Sequence, residues 1–292
     1  LVDFNRAGVP LMELVTEPDL RNAADARAFA EELHQVFRYV NASDADMEKG
    51  EMRIEANISL REIAEPRGTD AEGRGIPFGT KVEIKNINSF RAVEKAILYE
   101  IKRQAEVLEK GEKVIQETRG WDDVGQKTVS QRSKESAHDY RYFPEPDLPP
   151  LNLTKEGGFD IEAMRSSLPE LPAAKHLRFK TQYGLPEKLA VFFVSDKYLA
   201  DYFEQASSEL NSWLGEGKQN EFQKAAGILA NYISSDLQSL LVSKEASIQD
   251  TRITPENLAE LVKMIYNNEL SSRAAKDILA RMFADGSDPS NI

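Results

Sequence analysis

Residues 51–61, Glu-Met-Arg-Ile-Glu-Ala-Asn-Ile-Ser-Leu-Arg, alternate apolar and polar side chains without a break. A period of two over such a run is the signature of a strand with one covered face, and it predicts an antiparallel sheet. Met52, Ile54, Ala56, Ile58 and Leu60 fall on the face to be covered. Arg53, Glu55, Asn57, Ser59 and Arg61 fall on the other, spaced roughly 6–7 Å apart along the strand. Residues 80–87 repeat the pattern, with Val82 and Ile84 inward and Lys81, Glu83 and Lys85 outward.

An apolar sheet face needs a cover. Asn88-Ser89 caps a long helix carrying Phe90, Val93, Ile97, Ile101 and Leu108 on one stripe, and Gly111 stops it. An earlier helix starts near Asn22, with Ala26, Phe29, Ala30, Leu33, Val36, Phe37 and Val40 as its stripe and His34 packed within it. Val114–Arg119 and Thr128–Arg132 read as two more strands, joined through the turn Asp122-Asp123-Val124-Gly125. Val9–Val15 reads as a further strand with Glu13 inside an apolar face. A buried carboxylate needs a cation, a metal or a proton. Glu13 is therefore either an edge residue reaching solvent or a metal ligand.

The row Arg53, Glu55, Asn57 also has two readings. It is an ordinary solvated face, or it is a site. Asn is disfavoured at the middle of a strand, which invites a specific task for Asn57.

The run Asp139–Pro150 holds three aromatics, Arg141 between two of them, and four prolines. Proline fixes φ and donates no hydrogen bond, so Phe143–Pro150 cannot be a helix or a central strand. It reads as a rigid boundary. Beyond it the periodicity turns helical: Leu199, Tyr202, Phe203, Ala206, Leu210, Trp213 and Leu214 recur at helix spacing, as do Phe222, Ala226, Leu229, Ile233, Leu237, Leu240 and Leu241. His176 reads as structural or surface. Thr254-Pro255 starts another helix, and Ser271-Ser272 a last one. The expected class is α+β: an antiparallel-sheet cradle with packed helices over 1–152, an all-helical domain over 153–250, and the start of a helical tail domain over 251–292.

Without cysteine, thiolate catalysis and cysteine metal sites are excluded. A net charge of −12 argues against broad non-specific nucleic-acid binding, although a local basic patch stays possible. No run is long and apolar enough for a membrane span, so a cytoplasmic protein is the default expectation. Phosphate-loop, dinucleotide, zinc-protease and serine-hydrolase motifs are absent. What remains is carboxylates, lysines, arginines and Asn on a sheet face, which suits Mg²⁺ with phosphates.

Four motifs, in order, resemble the B-subunit family of the aspartyl/glutamyl-tRNA amidotransferases. They are Asp3–Glu13 (Asp-Phe-Asn-Arg-Ala-Gly-Val-Pro-Leu-Met-Glu), Glu48–Arg61, Lys85–Phe90 and His138–Leu148 (His-Asp-Tyr-Arg-Tyr-Phe-Pro-Glu-Pro-Asp-Leu). The resemblance implies a component working beside an amidase A-subunit and a small C-subunit. It implies use of ATP and Mg²⁺ to phosphorylate the side-chain carboxylate of Glu-tRNA(Gln) or Asp-tRNA(Asn). Ammonia, tunnelled from the glutamine-hydrolysing amidase, then displaces the phosphate. It further implies that Glu13 helps hold Mg²⁺, with Glu55 where many relatives carry Asp, a departure that keeps the carboxylate and lengthens its reach. Arg53, Asn57, Lys81 and Lys85 become phosphate or tunnel-lining candidates. Arg141 binds phosphate or stacks on a tyrosine and pins its loop. The resemblance leads us to expect a fragment cut at both ends and inactive alone. Two other readings stand beside it: a non-catalytic tRNA-binding scaffold, and an unrelated ligase acting on free glutamate.

Overall fold

The long alternation becomes strand β1, Ile54–Ile58, and the second becomes β2, Val82–Ile87. They pair antiparallel, with Ala56 opposite Ile84 and Ile58 opposite Val82, so the apolar residues share one face. The computed structural model describes residues 3–5, 8–61, 77–133 and 149–292. These divide into two units, one within 1–34 and 45–148 and one within 35–44 and 149–292.

Helix α1, Ala23–Tyr39, whose residues up to 34 belong to the first unit and the rest to the second, opens with the Asn22 side chain accepting from the Asp25 N–H at 2.8 Å. Helix α2, Phe90–Glu109, opens with Ser89 Oγ accepting from the Ala92 N–H at 3.1 Å. Strands β3, Glu117–Asp122, and β4, Lys127–Ser133, complete a four-stranded sheet in the order β1-β2-β3-β4. Val93, Ala96 and Ile97 of α2 form one core with Ile58, Ile84, Ile87 and Trp121. His34 packs edge-on against Phe90, ring centroids 5.4 Å apart.

The α+β class holds, but the sheet is mixed rather than wholly antiparallel. Between β2 and β3 the chain returns through α2, and such a crossover lays β3 parallel to β2, with Glu83 opposite Thr118 and Lys85 opposite Gly120. β3 also lies later than the expected 114–119. Asp122 Oδ1 accepts from the N–H groups of Val124 and Gly125 at 3.1 and 3.0 Å, which fixes the start of the hairpin turn and with it the end of the strand.

The expected strand at Val9–Val15 does not form among the described residues; this segment has no regular secondary structure and is exposed. A strand exists only where a neighbour accepts its N–H and C=O groups, and no described ladder pairs with it. Glu13 lies in solvent, so the premise that its burial demands a counter-charge does not hold.

The second unit is helical: α3 (Ile161–Ser166), α4 (Pro172–Gln182), α5 (Glu187–Val194), α6 (Lys197–Leu214), α7 (Gln219–Asn231), α8 (Gln238–Ser243), α9 (Pro255–Tyr266) and α10 (Ser272–Asp285). Phe203 centres its core, with ring centroids 4.5 Å from Phe193, 5.1 Å from Tyr183 and 5.4 Å from Phe179. Tyr202 Oη donates to the Ile253 carbonyl at 3.0 Å, so its hydroxyl is satisfied inside that core.

Between α7 and α8 runs a π-helical segment, Tyr232–Leu237. The buried residues Ala225, Leu229, Ile233, Leu237 and Leu241 repeat strictly every fourth position. In an α-helix each such step overshoots a full turn by about 40°, and four steps carry the last residue to the far side. A π turn, closed by i→i+5 bonds, advances less per residue and takes the drift back. The π segment thus helps keep these five residues on one buried face.

Charged groups enclosed in this unit are paired, whereas the buried Ser207 hydroxyl has no hydrogen-bond partner among the described residues. Lys175 donates to Asp201 at 3.0 Å and to Glu204 at 2.8 Å, and Arg178 donates to Glu170 at 2.9 Å. The Arg178 bond, against a smaller opposing effect of burial, holds the Glu170 carboxyl below its ordinary value of 4.5. A lowered folded value means that the stabilisation is complete above the unfolded value and is lost as pH falls through the folded one. In urea titrations of wild type and Glu170→Gln, the gap between midpoints is expected to be widest near neutral pH and to narrow as pH falls below the ordinary carboxylate value. A gap that widens on acidification contradicts this. Among the described residues no helix is long and apolar enough to cross a membrane.

Candidate functional site

One sheet face is covered by α2 and the other carries polar groups. Register and alternation bring Glu55 and Asn57 of β1, Glu83 and Lys85 of β2, and Thr118 and Gly120 of β3 onto the second face. Lys85 Nζ donates to Glu55 Oε1 at 3.2 Å and lies 3.5 Å from Glu83 Oε1. The other Glu83 oxygen accepts from Thr118 Oγ1 at 2.8 Å. The row is therefore a chain of contacts, Thr118 to Glu83 to Lys85 to Glu55. Partial burial lowers the lysine's pKa, but the bonds and charges of the two glutamates together outweigh it and raise the value, so Lys85 is a cation at neutral pH. Gly120 serves this face by having no side chain: a Cβ there would fall 2.2 Å from Gln131 Nε2, so the Gln131 amide lies directly over the β3 backbone.

The covered face holds the support. Glu100 of α2 is fully buried. It accepts from Gln104 Nε2 at 3.0 Å, from Thr128 Oγ1 at 3.0 Å and from Arg103 Nε at 3.0 Å, with Arg119 Nε 3.6 Å away. Gln104 Nε2 also donates to the Ile58 carbonyl at 3.2 Å, and Arg119 Nη2 to the Thr128 carbonyl at 2.9 Å. This network bolts α2 to β1, β3 and β4. Reading the sequence missed it, yet the signal was there: Val93, Ile97, Glu100 and Gln104 stand at the spacing of an apolar helix stripe, with polar residues at its last two positions.

The expected site residues divide four ways. Glu55, Asn57 and Lys85 are brought together on the open face. Arg53 and Lys81 are exposed just outside β1 and β2. Glu13 lies on the exposed segment before α1, and among the described residues no hydrogen bond or ion pair joins it to Glu55. Arg141, with the rest of 139–148, lies outside the described residues. The face adds Glu83 and Thr118, which sequence reading placed on the sheet and gave no task.

Among the described residues no group of three or more His, Cys, Asp or Glu is placed to hold a metal on its own. Mg²⁺ in phosphate chemistry is held by one or two carboxylates together with the phosphates themselves. Glu55 and Glu83 supply that number, and Lys85 supplies a point charge suited to phosphate. The donor types on this face thus fit a Mg²⁺–phosphate group. A hollow of about 230 Å³ in the second unit is lined by Arg38, Asn41, Ser43, Asp44, Lys197 and Tyr198. There Lys197 Nζ is bonded to the Tyr39 carbonyl at 3.2 Å and Asn41 Oδ1 at 2.8 Å, closing the C-terminal end of α1.

A family model described as the GatB/GatE catalytic domain matches residues 1–157, which contain the whole sheet. One described as the GatB domain matches residues 217–292. Over 291 residues the chain is 45% identical to the B subunit of the aspartyl/glutamyl-tRNA(Asn/Gln) amidotransferase of Persephonella marina, covering 100% of this chain and 56% of the relative. The like-named proteins of Carboxydothermus hydrogenoformans and Trichodesmium erythraeum are 43% and 41% identical over 292 residues, 100% of this chain and 55% and 54% of theirs. The chain spans about half the length of the curated relatives it matches.

Proposed function

The chain belongs to the family of aspartyl/glutamyl-tRNA(Asn/Gln) amidotransferase B subunits, and from that premise we propose that the open face of its sheet carries part of an ATP-dependent activation of a tRNA-linked carboxylate. The substrates proposed are Glu-tRNA(Gln) and Asp-tRNA(Asn). A side-chain carboxylate resists attack by ammonia because its leaving group would be an oxide. Transfer of the γ-phosphoryl group of ATP to a carboxylate oxygen gives an acyl phosphate and ADP. Attack by ammonia then expels inorganic phosphate and leaves the amide. Glutamine is the proposed nitrogen source, hydrolysed by an amidase A-subunit, with a small C-subunit in the same assembly.

The observation that carries this reading is the Lys85 ammonium between two carboxylates, on the sheet face away from α2, within the region matched to the catalytic-domain family. Lys85 neutralises charge on the transferring phosphoryl group, where preorganised cations contribute most. Glu55 and Glu83 would hold Mg²⁺, which supplies charge neutralisation between the phosphates. Asn57 offers an amide to the phosphate or the substrate, and Arg53, Lys81 and Arg141 add positive charge around it. Glu13 stays in the proposal as a further metal carboxylate. The helical segments 153–250 and 251–292 are assigned to a helical domain and to contact with the tRNA.

The test is ATP turnover by the full-length protein in its complex, with misacylated tRNA, with uncharged tRNA and with free glutamate. ADP formation is expected to rise at least about 100-fold only with the misacylated tRNA, the scale of a step that depends on substrate positioning. ADP formed equally well with free glutamate points to a ligase of another kind. Tight tRNA binding with no ADP points to a scaffold.

A further inference from the structure

We propose that Glu83, held from behind by Thr118, is the positioning residue that aims Lys85. The inference rests on the functional reading above and adds a task for two residues that reading leaves as scaffold or metal donor.

The two carboxylates beside the Lys85 ammonium are not equivalent. Glu55 is 37% exposed and belongs to β1, the edge strand of the described sheet, whereas Glu83 is 15% exposed and sits on β2 between two neighbours. One Glu83 oxygen is fixed by the Thr118 hydroxyl at 2.8 Å, and Thr118 itself is buried. The parallel register that places Thr118 beside Glu83 comes from the α2 crossover, so this contact joins the two central strands of the described sheet. The remaining Glu83 oxygen faces Lys85.

Lysine is a point charge on a flexible four-carbon stem, and on an open face it explores many rotamers. A carboxylate that cannot move restricts that search, and one that can move cannot. Glu83 is the fixed partner and Glu55 the exchangeable one. When an anionic phosphate arrives, Lys85 can leave Glu55 while Glu83 keeps its ammonium over the face. Thr118 donates its only hydroxyl proton into this arrangement, so its removal takes that hydrogen bond from Glu83 without altering any charge.

The experiment uses the full-length protein in its complex, with misacylated tRNA and ATP. Thr118→Val is expected to lower kcat about 5- to 10-fold with KM for tRNA within 2-fold, the pattern of a lost transition-state interaction. Thr118→Ser restores the hydroxyl and is expected to restore kcat. Glu83→Gln is expected to lower kcat at least 10-fold. The decisive comparison is a double-mutant cycle: in a Lys85→Met background, Thr118→Val is expected to have no further effect on the residual rate. Full additivity in that cycle, or failure of Thr118→Ser to rescue, overturns the proposal. If Thr118→Val keeps wild-type kcat while Lys85→Met does not, the inference fails and the functional reading stands; if Glu83→Gln keeps it too, the metal role proposed for Glu83 fails with the inference. If wild type itself forms no ADP with misacylated tRNA, it is the functional reading that fails, and this inference with it.

Discussion

Replacing Glu100 by alanine is expected to cost the sheet unit about 3–5 kcal/mol, because removing one member of a buried charge network strands the others. Glu100 is wholly enclosed, and Arg103 and Arg119 are 22% and 13% exposed at their side chains. Without the carboxylate, the Arg103 guanidinium loses its paired carboxylate, Arg119 keeps only Glu117, and the Thr128 hydroxyl and the Gln104 amide lose an acceptor. Alanine returns none of these bonds and leaves a cavity. Glu100→Gln keeps the shape and loses the charge, so it is expected to fall between alanine and wild type. The two tryptophans make the effect local and readable: Trp121 is buried in the sheet unit, and Trp213 packs edge-on against Tyr266 in the helical one. Urea unfolding followed in a Trp213→Phe background should show the Trp121 transition moving to lower denaturant. A shift worth less than about 1 kcal/mol, the scale of an ordinary surface pair, contradicts the network's role.

Replacing Lys85 by methionine is expected to lower kcat of the proposed phosphoryl transfer by about 100- to 1000-fold, the usual cost of removing one preorganised group that meets developing charge. Methionine keeps the stem's bulk and removes only the ammonium. Stability should change little, because the Lys85 side chain is 43% exposed and an exposed pair contributes about 0–1 kcal/mol. Loss of rate without loss of fold is the combination that separates a working cation from a solvated one. Lys85→Arg keeps the charge but spreads it over a planar fork, and it is expected to recover only part of the rate.

Much of the sheet was legible in the sequence because its signal is local. Met52 to Leu60 alternate, Val82 and Ile84 alternate, and the pairing of Ala56 with Ile84 follows from burying both sets together. The capping of α2 by Ser89 was equally local. The strand order was not, since whether β3 runs with or against β2 is set by the path of α2 across the sheet. Val9–Val15 shows the converse limit. Its composition is that of a strand, but a strand is a relation between two segments, and the described residues supply no partner. The site was legible in part. Alternation placed Glu55, Asn57 and Lys85 on one face, but it could not single out Lys85 as the bridge. That depends on the offset between β1 and β2, which carries Lys85 to Glu55. Glu83 gained its importance from Thr118, a residue 35 positions away, through the parallel register. Glu100 was readable after the fact as a polar intruder on an apolar stripe.

The central claim is that the Lys85 face is where phosphate is transferred to a tRNA-linked carboxylate. Its most direct test is to incubate the full-length protein, in its complex, with γ-labelled ATP and Glu-tRNA(Gln) while no ammonia source is present, and to measure label retained on the tRNA. The account predicts labelled Glu-tRNA with wild type and at least about 100-fold less with Lys85→Met, in proportion to its loss of kcat. Equal labelling by the two proteins would contradict it.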